Sequence, residues 1–236
     1  MRRRALIVLT VALLLGSAAA FTWTEKLKLE RAPIGEPRFD HRFSPGCGCP
    51  RGMARLSFLL HKADRLHVVV VDEADQVVRT LAKDLERPSG RVEFQWDGKD
   101  AAGATVPDGD YRLRVALEGA ERTIVTRARV RVDTKPPDVR LLSVSALTLV
   151  PGGEGIRFRY AASESGRPIL LVDGRIASRK RARRSGPATL TWTGTIRSNT
   201  VAPGRHQVAV VVADRAGNRS RPTEAVTILV RPSATG

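Results

Sequence analysis

The chain has 236 residues, which suffices for one large all-β domain or for two domains of about 100 residues each. Hydrophobic residues make up 42% of it and are mostly aliphatic, a content that excludes a chain disordered throughout. The formal net charge is +16, and the excess is largest after residue 137, where 16 basic side chains accompany 6 acidic ones. A charge of this sign favours anionic partners.

The N-terminus contains an uncharged segment, Ala5 to Trp23, directly after Arg2-Arg3-Arg4. A helix of this length rises about 28 Å, close to the roughly 30 Å of a bilayer's hydrocarbon core. Because arginines hold the start of such a helix in the cytoplasm, the rest of the chain is expected outside it. We predict a single-pass anchor in the cell membrane over residues 1–23. Ala18-Ala19-Ala20 leaves open a cleaved signal peptide and a secreted protein.

Residues 24–42 combine alternating charges and two prolines with few apolar side chains, a composition that predicts an extended juxtamembrane stalk. Cys47 and Cys49, the only cysteines, follow it and should oxidise outside the cytoplasm. We favour a local disulfide at the entrance to the first strand, with Gly48 supplying the dihedral freedom, over pairing between two chains. The Cys-x-Cys spacing matches neither a known metal site nor the Cys-x-x-Cys of redox motifs.

Short alternating or β-branched segments separated by turn residues predict strands after the cysteines. They are Arg55–Leu60, Leu66–Asp72, Gln76–Leu81, Arg91–Trp96, Asp110–Leu117 and Arg122–Val132. Trp96 and Tyr111 fall at alternating strand positions and are predicted to be core residues rather than a sugar-binding platform. Four carboxylates between and beside them could attract calcium, but their spacing matches no EF-hand, and we predict that they stabilise turns. They are Asp97, Asp100, Asp108 and Asp110.

A short stiff linker with two prolines, Asp133 to Asp138, separates these strands from a second block. Landmarks of the first block recur in the second at spacings of 95 to 101 residues, which predicts a tandem duplication. They pair Phe58 with Phe158, Val69–Asp72 with Leu170–Asp173, Trp96–Gly98 with Trp192–Gly194, and Val106–Gly109 with Val201–Gly204. We predict an all-β fold of two tandem immunoglobulin-like β-sandwich domains, at residues 43–135 and 136–232, after an N-terminal transmembrane helix. Residues 233–236 are predicted to form a tail.

The first block resembles the FlgD immunoglobulin-like domain, a module of the flagellar hook-capping protein and of many exported bacterial proteins. The resemblance rests on Val70–Asp72, Val77–Leu81, Phe94–Asp100, Gly103, Val106 and Asp108–Tyr111. It covers residues 43–133 well and residues 138–231 partially, so the second copy is divergent. The rod-binding segment of the hook-capping protein has no match. The resemblance therefore implies a sandwich used as a spacer or an adhesive surface rather than a flagellar role.

The densest basic stretch, here called the basic run, lies in the second block. It comprises Arg179, Lys180, Arg181, Arg183 and Arg184. Such a run attracts phosphates, acidic polymers or anionic lipid head groups, although most charge runs are solvated loops. Nucleic acid is not a predicted partner, because no aromatic residues interleave with the run and no nucleic-acid-binding motif accompanies it.

The sequence does not indicate an enzyme. Its four histidines, His41, His61, His67 and His206, have no known catalytic spacing, and no hydrolase or metalloprotease motif occurs. No cofactor is predicted. We expect a non-enzymatic, membrane-anchored extracytoplasmic protein whose sandwiches bind a protein, an anionic cell-wall polymer or lipid head groups. The alternative is an accessory subunit that positions an exported enzyme or a surface appendage.

Overall fold

The computed structural model describes residues 32–232, together with positions 13, 16 and 17. Every regular element in residues 32–232 is a strand, so the all-β prediction is confirmed. Nine strands form a first sandwich: β1 (Ile34–Phe39), β2 (Arg42–Phe43), β3 (Ala54–Leu60), β4 (Asp64–Val71), β5 (Val77–Arg87), β6 (Gly90–Trp96), β7 (Gly109–Leu117), β8 (Arg122–Val125) and β9 (Val130–Val132). One sheet has the order β1-β3-β6, and the other has the order β2-β9-β7-β4-β5 with β8 beside β7.

Ten strands form a second sandwich: β10 (Val139–Val144), β11 (Thr148–Leu149), β12 (Ile156–Ala162), β13 (Arg167–Val172), β14 (Arg175–Arg179), β15 (Gly186–Trp192), β16 (Thr195–Ile196), β17 (Asn199–Thr200), β18 (Gly204–Ala213) and β19 (Val226–Val230). Its sheets have the orders β10-β12-β15 and β11-β19-β18-β13-β14, and β16 pairs with β17. The topology repeats that of the first sandwich, including a short parallel pair at one edge: β2 with β9, and β11 with β19.

Each sandwich encloses its own hydrophobic core because inward apolar residues alternate with outward polar ones along the strands. In β12, for example, Ile156, Phe158 and Tyr160 are buried while Arg157 and Arg159 are exposed. One cluster of buried residues extends from Ile34 to Val132 and the other from Leu149 to Val230. The two cores thus form within separate stretches of the chain.

The same hydrogen bonds recur at equivalent places in both sandwiches. The indole N–H of Trp96 donates to Lys99 O at 3.0 Å, and that of Trp192 donates to Thr195 O at 2.9 Å. The hydroxyl of Thr126 accepts from Leu113 N, and that of Thr223 accepts from Val210 N. These contacts fix the two tryptophans and the two threonines in matching positions, as expected for a frame that is repeated.

Gly98 shows why the Trp-Asp-Gly segment of the first sandwich needs glycine. Its φ is +72°, and a Cβ built there would lie 2.2 Å from Pro45 Cγ. Its carbonyl accepts a hydrogen bond from Val106 N at 2.9 Å, just as the carbonyl of Gly194 accepts one from Val201 N. A side chain at residue 98 would therefore clash and would strain the backbone as well.

Strands β1 and β2 correct the prediction of a stalk over residues 24–42 for its described part, residues 32–42. Residues 24–31 and the predicted tail, residues 233–236, lie outside the described residues. Strand β1 pairs antiparallel with β3, and β2 pairs with β9, so both belong to the first sandwich. Ile34 is buried in the core and Phe39 packs against it. The stalk was predicted because apolar residues are sparse here, but an edge strand of a sandwich needs only one or two inward side chains.

One predicted strand is also divided. Residues 122–132 form β8 and β9 rather than one strand, because Thr126 turns the chain by donating from its hydroxyl to Ala128 O. The part of the chain that the structure describes has no helix long and apolar enough to cross a membrane. The predicted anchor, Ala5 to Trp23, lies outside the described residues except at positions 13, 16 and 17, and it stays a prediction.

Candidate functional site

The disulfide loop lies where the two sandwiches meet. Cys47 and Cys49 are bonded to each other, within the loop that joins β2 to β3. The loop faces the turn between β18 and β19: a Cβ built at Gly217, whose φ is +107°, would lie 2.5 Å from Cys49 Sγ. Arg51 donates from its guanidinium to the carbonyl of Arg215 in the same turn. The short disulfide loop thus forms one side of a joint between the sandwiches.

Asn218 is the polar centre of this joint. It is 6% exposed, its side-chain oxygen accepts from the Ser44 hydroxyl, and its amide nitrogen donates to Asp133 O at 2.8 Å. Asp214 holds the turn in shape by accepting from Gly217 N at 2.6 Å and from Asn218 N at 2.9 Å. Because buried polar groups are costly unless they are paired, this network favours one arrangement of the sandwiches.

Three carboxylates converge beside the joint, with oxygens of Asp133, Glu164 and Asp214 all within 4.8 Å of one another. Burial raises the pKa of Glu164, and the carboxylates of Asp214 and Asp133 raise it further, while Arg42 acts in the opposite direction. The guanidinium of Arg42 lies 3.1 Å from an oxygen of Asp133. Such oxygens are hard ligands that a divalent cation could use, but Asp214 already caps its turn and Arg42 already supplies positive charge.

The basic run begins at the last residue of β14, Arg179, and leads from the five-stranded sheet toward β15 of the three-stranded sheet. All five of its charged residues are exposed. Two backbone contacts hold it: Lys180 N donates to Pro168 O at 3.1 Å, and Arg183 exchanges hydrogen bonds with Gly166. Among the described residues, none of the five forms a salt bridge. Its charge is therefore free to attract an anion.

The four aspartates of the first sandwich have structural roles. Asp97 accepts from Lys99 N, and Asp100 accepts from Ala102 N and Ala104 N, which confirms the turn prediction for both. Asp108 instead accepts from Thr134, and Asp110 forms salt bridges with two arginines of the neighbouring segment, Arg129 and Arg131.

Trp96 and Tyr111 are buried in the core as predicted. Their rings meet edge to face with centroids 5.0 Å apart, and the Tyr111 hydroxyl donates to Pro107 O at 2.7 Å. In the second sandwich His206 takes the place of Tyr111: it packs edge-on against Trp192 and donates from Nε2 to Ala202 O at 2.8 Å.

The other ring nitrogen of His206 lies 2.7 Å from a carboxylate oxygen of Asp173. Because a carbonyl oxygen and a carboxylate both accept, this pair of contacts suits the doubly protonated ring. The bond to Asp173 raises the pKa of His206. For Asp173, burial raises the pKa, but the bonds from His206 and from the Gln207 backbone outweigh it, so the net pKa is lowered. His206 therefore uses both ring nitrogens in contacts within the second sandwich.

The histidines do not converge. His41 is exposed, His61 contacts the carbonyl of Ala32, and His67 is half-buried on β4. Sequence reasoning missed the joint, because Asp133, Glu164 and Asp214 are separated by 31 and 50 residues. The one local signal in the sequence is Asp214-Arg215-Ala216-Gly217-Asn218, whose residue types favour a tight turn but do not indicate what contacts it.

Comparisons with known proteins agree with this description of the first sandwich. Residues 54–121 match the model of the FlgD Ig-like domain, which confirms the resemblance for that part of the chain. The basal-body rod modification protein FlgD of Salmonella typhimurium is 33% identical over 69 residues, which are 29% of this chain and 29% of that protein. The chain thus spans less than a third of the length of the curated relatives it matches.

Two solved structures align along most of the chain. The fibronectin(III)-like modules of Clostridium thermocellum CbhA align over 85% of this chain and 97% of theirs, with 18% identity and a TM-score of 0.47. A structure on host cell surface retention of a 1.5-MDa bacterial ice-binding adhesin aligns over 87% and 67%, with 14% identity and a TM-score of 0.33. Residues 54–121 of the first sandwich thus match an Ig-like domain. That the second sandwich is a divergent copy of it stays a prediction.

Proposed function

We propose that this chain is a non-enzymatic interaction module of the cell envelope, anchored in the membrane through Ala5 to Trp23 with its sandwiches outside the cytoplasm. The match of residues 54–121 to an Ig-like module supports the structural role. The Cys47–Cys49 disulfide supports an oxidising compartment, since such bonds persist outside the cytoplasm. In this proposal the first sandwich acts as the frame and the second one binds the partner.

The observation that carries the proposal is the basic run without neutralising acids. Five cationic side chains are exposed on a short segment whose backbone is fixed at two points. Arginine guanidinium groups bind phosphate and carboxylate oxygens with two hydrogen bonds at once. We propose that the run binds an anionic polymer of the envelope.

The joint supports a fixed presentation of this surface. Ser44, Asn218 and Asp133 link the first sandwich to the second through buried hydrogen bonds, so the basic run keeps a constant position relative to the N-terminal end of the first sandwich.

The test replaces all five basic residues of the run with serine in the full-length chain. We expect the binding of the unmodified protein to an anionic cell-wall preparation to fall steeply with added salt, and the variant to lose most of that binding. Unchanged binding by the variant would contradict the proposal. Co-purification of a defined protein that persists in high salt would instead favour the accessory-subunit alternative.

A further inference from the structure

A second basic surface lies on the outer side of the three-stranded sheet β10-β12-β15. The alternation of these strands turns Arg140, Arg157 and Arg159 outward, and all three are exposed. Thr189 and Thr191 lie opposite Arg159 and Arg157 on β15 and are also exposed. We call this surface, made of these five residues, the arginine face.

The arginine face holds its charges in a regular array. Arg157 and Arg159 are two residues apart on one strand, so their backbone positions are separated by about 6.5 Å, and neighbouring strands lie about 4.8 Å away. Arg159 is paired with Ser143 on one side and Thr189 on the other, so residues with hydroxyl side chains flank it on both neighbouring strands. Arg140 begins the next row, beside Ala161.

No carboxylate of the described residues forms a salt bridge with these arginines. The equivalent face of the first sandwich is neutralised: Arg38 and Arg91 both pair with Glu36, at 3.1 and 2.9 Å, and Arg55 pairs with Asp40 at 3.7 Å. The strand β6 also turns Glu93 outward there, whereas β15 presents only threonines and Pro187. The second sandwich therefore presents uncompensated positive charge on this face, whereas the first sandwich pairs its arginines there with its own acids.

The arginine face is continuous with the basic run. Strand β15 starts at Gly186, two residues after Arg184, and Gly186 pairs with Ala162 at the end of β12. Pro187 and Ala161 then connect that end to Arg140 across the sheet. Positive charge thus extends from the edge of the sandwich onto its broad side.

We propose that the arginine face is a docking surface for a linear polyanion that carries phosphate groups at short, regular intervals along its backbone. A flat sheet face does not enclose a small ligand, so binding here depends on many contacts made at once along an extended chain. Spaced guanidinium groups satisfy successive phosphates, and the intervening hydroxyls donate to them. This proposal rests on the proposed function and assigns the anionic polymer a second binding surface, next to the basic run.

The experiment measures binding of long-chain inorganic polyphosphate, labelled with a fluorophore, to the full-length chain in nonionic micelles at low salt. The face variant carries Arg140→Ser, Arg157→Thr and Arg159→Thr. The matched control, Arg175→Ser, Arg205→Ser and Arg231→Ser, removes the same charge from the five-stranded sheet and its end, where all three arginines are exposed. The run variant from the test above completes the set.

We expect the face variant to weaken polyphosphate binding at least tenfold and the control to weaken it less than threefold. Hydroxyl-radical footprinting of the unmodified protein should show protection of β10, β12 and β15 by polyphosphate, which tests the surface even if the face variant fails to fold. Equal losses in the face variant and the control would overturn the proposal. Binding to phosphatidylglycerol vesicles without binding to polyphosphate would overturn it too, in favour of lipid head groups.

The proposed function and this inference can fail separately. If the run variant loses binding while the face variant retains it, the arginine face is excluded and the basic run is the site. If the face variant alone loses binding, the arginine face is supported and the role of the run is rejected.

Discussion

The two sandwiches have the same topology but differ in whether their arginines form salt bridges. Eight arginines of residues 34–133 form salt bridges with aspartate or glutamate. Of the 16 basic side chains between residues 138 and 232, none does, within the part of the chain that the structure describes. Among the described residues, the contact of His206 with Asp173 is the only one of this kind in the second sandwich, and it is an ion pair when His206 is protonated. A shared frame has thus been combined with two different surfaces.

The residues fall into two groups: those whose buried contacts recur in both sandwiches and form the frame, and those on the surface, whose contacts differ between the sandwiches. Frame contacts recur: two buried tryptophans with the same indole hydrogen bond, two threonines that close the sheet, and two glycines after the tryptophans. Surface contacts do not recur. If this division is right, substitutions in the frame should change stability equally in both sandwiches, and surface substitutions should change binding in only one.

The largest expected effect comes from the tryptophans. Trp96→Ala and Trp192→Ala each remove a fully packed side chain, and each should lower the free energy of unfolding of its own sandwich by about 3–5 kcal/mol. Urea unfolding followed by circular dichroism measures this, with Leu142→Ala, an exposed position, as the control. A large loss for one tryptophan and a negligible loss for the other would show that the frames are not equivalent.

The turns after the long strands β7 and β18 give the next largest effect. Asn218 is buried against the first sandwich, whereas Glu121 in the turn after β7 is exposed. Asn218→Ala leaves the carbonyl of Asp133 and the hydroxyl of Ser44 without their partner, and it should cost about 1–3 kcal/mol. Glu121→Ala, the matched control, should change the free energy of unfolding far less.

Small-angle scattering of the same two variants tests the joint directly. The Asn218→Ala variant should show a broader distribution of distances between the sandwiches than the unmodified chain. An unchanged distribution would mean that the disulfide loop alone holds the joint.

A smaller effect is a pH dependence of stability, which His206 gives to the second sandwich and which Tyr111, at the equivalent position, does not give to the first. The pKa of His206 is raised by Asp173, so the stability that this pair contributes is complete below the unfolded pKa of about 6.5 and is lost as pH rises through the higher folded pKa. The second sandwich should therefore become less stable as the pH rises from about 6.5 into the alkaline range. Thermal unfolding across this range measures it, and His206→Tyr, which copies the first sandwich, should remove the dependence. A second sandwich equally stable at both ends of the range would contradict the protonated assignment.

The sequence predicted the strands because their inward apolar residues alternate with polar ones, and it predicted the turns at Asp97 and Asp100 because aspartate has a strong local preference for turns. It could not predict that β1 joins the first sandwich, since the burial of Ile34 depends on β3, a partner 20 or more residues away. The joint was equally hidden, because Ser44 and Asn218 are 174 residues apart.

The surfaces were hidden for a related reason. The sequence shows that Arg157 and Arg159 alternate with core residues, but whether an arginine is neutralised depends on which strands lie beside it. In the first sandwich Glu36 reaches Arg91 only because β1 and β6 both flank β3. Net charge can be counted from the sequence. To tell which arginines lack an acidic partner, one must also know which strands are neighbours in the sheet.

The smallest effect on stability should accompany a gain of binding in the first sandwich. Glu36→Gln and Asp40→Asn remove the acids that pair with Arg38, Arg55 and Arg91, and exposed pairs of this kind contribute only about 0–1 kcal/mol each. Glu93→Thr removes a further exposed carboxylate from the same sheet. Introduced into the face variant, these changes should restore part of its lost polyphosphate binding, because they give the first sandwich the charge pattern of the second.

The control for this gain removes the same charge elsewhere on the first sandwich, through Glu73→Gln, Asp84→Asn and Glu121→Gln, all at exposed positions. Restoration by the first set alone would show that an ordered sheet face of uncompensated arginines suffices for binding. Equal restoration by both sets would mean that net charge alone governs binding, because long-range attraction depends on total charge rather than on where the arginines lie. The difference between the two surfaces would then be one of degree.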